Sequence, residues 1–143
     1  MEEPIIIISY DPNWKQEFCL YADRIRNKIG SVAKRIDHIG STSIDGLDAK
    51  PIIDIQISIE SFEIIKELEL KMKEIGFIYK SNNPDLSKKY FREKPGQKRV
   101  HIHFRKEGSW SEQFALLFRD YLRAHPDDCK QKKDIGVRSS FLT

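Results

Sequence analysis

The sequence predicts an α+β fold built as one domain, on three observations. Residues 52–59 and 99–105 alternate apolar and polar side chains with the two-residue period of a strand. Residues 14–29, 61–75 and 109–124 instead repeat apolar side chains at three- and four-residue steps, which is the period of an amphipathic helix. The length, 143 residues, suits a single hydrophobic core.

Taken in order, residues 5–9 are β-branched and apolar with little alternation, so a short strand covered on both faces is expected there. Asp11 and Pro12 break it and open the first helix, whose stripe is Trp14, Phe18, Tyr21, Ala22, Ile25 and Ile29 and whose stop is Gly30. Residues 31–39 read as extended and deliver His38 to a Gly-Ser turn. The strand at 52–59 follows, with Ile53, Ile55, Ile57 and Ile59 toward the core and Asp54, Gln56 and Ser58 away from it. Ser61 is the expected cap and Gly76 the expected stop of the second helix. A short strand at 77–79 and an exposed polar loop at 80–89 come next. Residues 90–92 and 99–105 form a hairpin turning at Pro95 and Gly96. The last helix should bury Phe114, Leu117, Phe118, Tyr121 and Leu122, with Pro126 just past its end. The domain is read as residues 1–126, and residues 127–143 as a polar tail.

Composition narrows the function classes. A charged fraction of 33% and a hydrophobic fraction of 39% describe a globular protein, not a disordered one. The longest apolar run, residues 5–8, is too short to span a bilayer, and no basic stretch followed by a hydrophobic one opens the chain, so a cytoplasmic location and no membrane partner are expected. Cys19 and Cys129 have no metal-type or disulfide-type spacing and read as packing thiols. Twenty-five basic against 22 acidic residues leave a net charge of +3, which permits an anionic ligand but argues against a broad nucleic-acid surface. The oligomeric state is left open.

Two groups of residues could carry chemistry. If the strands at 52–59 and 99–105 are neighbours, Asp54 and Gln56 come near Arg99, His101 and His103. That set reads either as a functional cluster or as a structural one, with Asp54 bridged to Arg99 or Arg105. The turn Gly40, Ser41, Thr42 and Ser43 can converge backbone N–H groups and hydroxyls on a phosphate, with Lys50 adding a point charge. Its plainer reading is a cap for a helical turn at 44–47. Arg119 and Arg123 on the last helix point back to this pocket, or serve as solvated charges or partners of Asp120 and Asp127.

The stretches YDPNW at 10–14, HIGSTSIDGLDAKPIIDI at 38–55, VHIHF at 100–104 and LLFRDYLRAHP at 116–126 resemble the GrpB family of bacterial proteins. That family is similar to the nucleotidyltransferase superfamily, so the resemblance implies a mixed, mostly antiparallel sheet flanked by helices, like the palm of DNA polymerase β. It further implies that Gly40 and Ser41 hold a nucleoside triphosphate and that Asp54 is the first carboxylate for a divalent metal, magnesium or manganese. Where the superfamily has a second carboxylate this chain has Gln56, and where a third is sought it has His101 and His103, which suit transition metals better than magnesium. Residues 130–143 also depart from the helical continuation that the resemblance implies, as a shortened or altered end.

Three functions follow as expectations. The first is a nucleotidyltransferase-like protein binding a nucleotide or another phosphorylated ligand at residues 40–43 and Lys50. In its metal-dependent form Asp54 holds the ion, Arg99 offsets leaving-group charge, and His101 or His103 acts as base or ligand. The second is a non-catalytic module for a phosphorylated metabolite or an RNA end. The third is a transition-metal hydrolase site of Asp54, His101 and His103, with His38 nearby.

Overall fold

The computed structural model describes residues 6–124. Five strands form one sheet: β1 (Arg35–Ile39), β2 (Ile53–Ile59), β3 (Phe77–Tyr79), β4 (Lys88–Glu93) and β5 (Val100–Lys106), in the order β1-β2-β5-β4-β3. Every pairing is antiparallel except β2 with β5, which run parallel, so the sheet is mixed and mostly antiparallel as expected. Helices α1 (Asn13–Ile29) and α2 (Ile65–Glu74) pack on one face, and α3 (Trp110–Ala124) lies against the other.

The main core lies under α1 and α2. Ile53, Ile55, Ile57 and Ile59 of β2 meet Val100, Ile102 and Phe104 of β5, Trp14, Ile25 and Ile29 of α1, and Leu68 and Met72 of α2. This is the apolar half of the alternation, read correctly from the sequence. The helix ends also follow it. Asp11 Oδ1 accepts from the Asn13 N–H at 2.9 Å, and Ser109 Oγ accepts from the Glu112 N–H at 3.3 Å. Ser61 caps a 3-10 turn, Phe62–Ile64, from which α2 continues.

Four expectations need correction. Ile6, Ile7 and Ile8 form no covered strand: Ile6 is 56% exposed, and the segment touches the fold through one antiparallel bridge, Ile8 to Ala49. An uninterrupted β-branched run gives strand propensity but names no partner, and here no full ladder receives it. Residue 5 lies outside the described residues, as do Cys129 and the tail. Cys19 is exposed on α1, between the core positions of that helix, and is not the packing thiol expected. The polar side of β2 is not open to water either: Asp54, Gln56 and Ser58 are 2%, 0% and 0% exposed, Gln56 and Ser58 lying against Glu112 of α3 and Asp54 against Gly40 and the histidines of β5.

The last correction concerns α3 itself. Its buried positions are Glu112, Leu116 and Leu122, with Phe118 packed beside Ile44 and Leu47, whereas Phe114, Leu117 and Tyr121 are exposed. Apolar residues occupy more of this helix's circumference than one contact can bury. Of the exposed three, Phe114 joins Phe62, Leu86 and Trp110 in lining an apolar groove of about 560 Å³. No helix among the described residues is long and apolar enough to cross a membrane.

Candidate functional site

The register of the sheet sorts the polar residues. Residues paired directly across strands share a face, so Ile39, Asp54, His101 and Arg92 form one row across β1, β2, β5 and β4. Asp37, Gln56, His103 and Tyr90 form the next, and Arg35, Ser58, Arg105 and Lys88 the third. Sequence reasoning placed Asp54, Gln56, His101 and His103 together, and they are. It placed Lys88 in an exposed loop. The strand in fact starts at Lys88, and alternation of Lys88, Tyr90 and Arg92 against Lys89 and Phe91 was the available signal.

His38 is on the other face. It sits opposite Ile55, stacks on Phe18 of α1 with ring centroids 4.8 Å apart, and is removed from Asp54 by the sheet itself. Its Nε2 lies 3.0 Å from Thr42 Oγ1, and Thr42 donates its own hydroxyl hydrogen to the Ile52 carbonyl at 3.0 Å. His38 therefore carries its proton on Nε2 and donates it to Thr42. Burial, reinforced by the charges of Arg123 and Arg119, lowers its pKa to about 3, so the ring is neutral.

The Gly-Ser turn is a 3-10 turn, Ser41–Ser43, beginning earlier than the helical turn considered at 44–47. Two of its three hydroxyls are spent within the fold, Thr42 as above and Ser43 on the Gly40 carbonyl at 2.6 Å. Ser41 is the half-buried hydroxyl among the three. Gly40 lies directly against Asp54: a Cβ built on it would be 2.5 Å from Asp54 Oδ2. The turn and the carboxylate are thus brought together by the antiparallel pairing of Ile39 with Asp54.

Arg119 and Arg123 both turn back toward this region. Arg119 Nη1 donates to the His38 carbonyl at 3.2 Å and lies 3.5 Å from Asp37 Oδ1, while its Nε donates to Asp120. Arg123 Nε donates to the Ser43 carbonyl at 3.0 Å. These bonds clamp α3 over β1 and the turn. Replacing Arg119 with Met should lower stability by about 1–2 kcal/mol, read as a reduced urea midpoint with an unchanged slope.

At the centre, Asp54 Oδ1 is 3.1 Å from His103 Nε2 and 3.7 Å from His101 Nδ1. His103 Nδ1 is 3.0 Å from Lys88 Nζ. Gln56 is held from both ends: its Oε1 accepts from Arg105 Nη1 at 2.7 Å and its Nε2 donates to the Glu112 carbonyl at 3.3 Å. Burial pushes the Asp54 carboxyl well above the usual carboxylate range, against the pull of Lys88, Arg105, Lys50 and Arg99. Burial also lowers His101 to about 3, with Arg92, Arg99, Lys88 and Lys50 acting the same way. Asp54 thus lies among four cations, two of which, Lys88 and Arg105, are also acted on by Asp85.

This donor set offers a divalent ion one carboxylate. Magnesium takes six oxygens at about 2.0–2.1 Å, several of them from water or substrate phosphate, and the second protein position here is an amide bonded to Arg105. A transition metal needs a lone pair on each imidazole. Lys88, an ammonium with donors only, gives a hydrogen to His103 Nδ1, which leaves the hydrogen of the neutral ring on Nε2, the atom facing Asp54. Among the described residues no group of three or more His, Cys, Asp or Glu side chains is arranged to hold an ion.

Comparison with known proteins agrees with the fold and the motifs. Residues 4–135 match the family model described as GrpB protein. The UPF0157 protein YqkA of Bacillus subtilis is 40% identical over 126 residues, covering 87% of this chain and 36% of the relative. A dephospho-CoA kinase of Mycobacterium tuberculosis is 31% identical over 165 residues, covering 98% of this chain and 38% of the relative. The chain thus spans little more than a third of the length of these two curated relatives. The crystal structure of conserved protein GrpB from Enterococcus faecalis superposes with a TM-score of 0.83 at 30% identity, covering 91% of this chain and 82% of that one. By the extent of the family match, this chain belongs to the GrpB family.

Proposed function

We propose that this protein binds a phosphorylated small molecule of the nucleotide class, without a divalent metal, against the cationic polar face of β2, β5 and β4 of a nucleotidyltransferase-like sheet. The observation that carries this reading is the charge balance around Asp54: Lys50, Lys88, Arg99 and Arg105 all act on that one carboxyl group. Asp85 also acts on Lys88 and Arg105, and a phosphate would add its own negative charge among these cations. Ser41 and Lys50 border the turn beside Asp54 and would contact the phosphate; His101 and Tyr90, with rings 5.4 Å apart, offer an aromatic surface for a base. Because Gln56 takes the place of a second carboxylate and is tied to Arg105, the binding role is favoured over metal-dependent nucleotidyl transfer.

The test is calorimetric titration of ATP, GTP, CTP and coenzyme A in EDTA, and again with magnesium or manganese. Coenzyme A joins the panel because one relative is named a dephospho-CoA kinase. Binding should persist in EDTA and weaken about ten-fold in Lys50→Ala, the equivalent of about 1.4 kcal/mol. No binding in either medium would sink the reading. Binding or turnover only with metal would replace it with the transferase reading, in which Asp54 and the Gly40 turn take the roles implied by the superfamily.

A further inference from the structure

A hydrogen-bonded chain of three side chains runs along the polar face of the sheet, from β2 through β5 to β4. Asp54 and His103 are buried and joined at 3.1 Å; His103 and Lys88 are joined at 3.0 Å, and Lys88 is half-buried with its Nζ 5.2 Å from the centre of the Tyr90 ring. With Lys88 charged, each hydrogen in the chain points toward Asp54: from Nζ to His103 Nδ1, and from Nε2 to Oδ1. One concerted shift of both hydrogens along these bonds gives a neutral amine, the other neutral tautomer of His103, and a neutral carboxylic acid. No charge then remains in the buried part of the chain, which is what desolvation favours for all three groups. Burial accordingly raises Asp54, lowers His103, and with Arg105 lowers Lys88 to about 8 against the pull of Asp85 and Asp54.

We propose that Lys88 is a covalent amine of this face of the sheet, activated by Asp54 through His103, and that it captures the carbonyl carbon of a phosphorylated aldehyde or ketone as an imine. The phosphate part of this assignment rests on the binding reading above; the amine part stands on the three-residue chain. In the reaction one Lys88 hydrogen passes through His103 to Asp54, and the freed Nζ lone pair adds to the carbonyl carbon while the C=O π pair moves to oxygen. The two hydrogens left on Nζ depart with that oxygen as water. The hydrogen held by Asp54 returns through His103 to the imine nitrogen, giving the iminium. Atoms and charge balance with no oxidant or reductant.

The probes are pyridoxal phosphate and pyridoxal, each trapped with sodium borohydride, which reduces the imine to a stable secondary amine located by peptide mass spectrometry. The internal standard is Lys66, exposed on α2. In wild type, both probes should label Lys88 about ten-fold or more faster than Lys66, and Asp54→Asn should remove most of that advantage while leaving Lys66 unchanged. Equal rates at the two lysines in wild type would overturn the proposal without need of any variant. An unchanged Lys88 rate in Asp54→Asn, with the fold confirmed by circular dichroism, would overturn the activation by Asp54. A preference for pyridoxal phosphate over pyridoxal, abolished by inorganic phosphate, reports separately on anion binding. Fast labelling of Lys88 without that preference keeps the amine and removes the phosphate site; phosphate competition with slow labelling does the reverse.

Discussion

Gly40→Ala should destabilise the protein by on the order of 2–6 kcal/mol, a large part of the total for a domain of this size. Two effects add. The backbone at Gly40 has φ +76° and ψ 179°, a region essentially restricted to glycine, at a cost of about 1–3 kcal/mol for any other residue. The new Cβ would also lie 2.5 Å from Oδ2, 2.8 Å from Cβ and 2.9 Å from Cγ of Asp54, whose carboxyl is buried and cannot swing away. Overpacking of that kind costs about 1–3 kcal/mol more. Gly46→Ala separates the two contributions, because Gly46 has a similar φ of +80° with nothing within 4 Å of an added Cβ. It should show the cost of a positive φ without the clash. In urea unfolding, the Gly40→Ala, Asp54→Gly double variant should be more stable than the sum of its single changes, since the second removes all three atoms that the first strikes. Simple additivity would show that the contact is relieved by backbone movement instead.

Stability should fall steeply with acid below about pH 6.5, and His38→Phe should remove part of that fall. A histidine whose pKa is depressed in the folded state binds fewer protons folded than unfolded. Its contribution is complete above the unfolded value and is lost as pH falls toward the folded one. For His38 that window runs from 6.5 to about 3. His101, lowered to about 3, and His103, lowered by full burial, act in the same direction. Asp54 acts in the opposite one: raised by burial, it favours the folded state as it protonates. At pH 7 His38→Phe should cost about 1 kcal/mol for the lost bond to Thr42, while the stack on Phe18 is kept. Between pH 6.5 and 4.5 the variant should lose about 2–3 kcal/mol less than wild type. Urea midpoints at the two pH values check this, and parallel profiles would exclude His38 as an acid-sensitive group.

The strands with one clear apolar face were legible because Ile53, Ile55, Ile57 and Ile59 must all point inward, and Val100, Ile102 and Phe104 match them. What covers the opposite face was not. Gln56 and Ser58 look like a wet edge until α3 is laid over them, and the broad apolar circumference of α3 did not say which of its residues would face the sheet. The face of His38 depended on the register of β1 against β2, which a turn containing Gly40 does not reveal. Lys88 was hidden because consecutive lysines after a polar run resemble a loop end. The Asp54 cluster itself followed from one assumption, that β2 and β5 are neighbours, and that assumption holds.

The parallel seam between β2 and β5 also has a kinetic side. A hairpin can zip from its turn, and β4 and β5 can do so early, as can β1 and β2 across the short bridge that joins them. The pairing of Ile53 with Val100 has no such route, because the whole of α2, β3 and β4 lies between those residues in the chain. It closes the longest loop in the sheet and is expected to form last. Asp54 meets His101 and His103 only across that seam. The cluster is therefore absent from any half-folded chain and arrives in the same step that completes the domain.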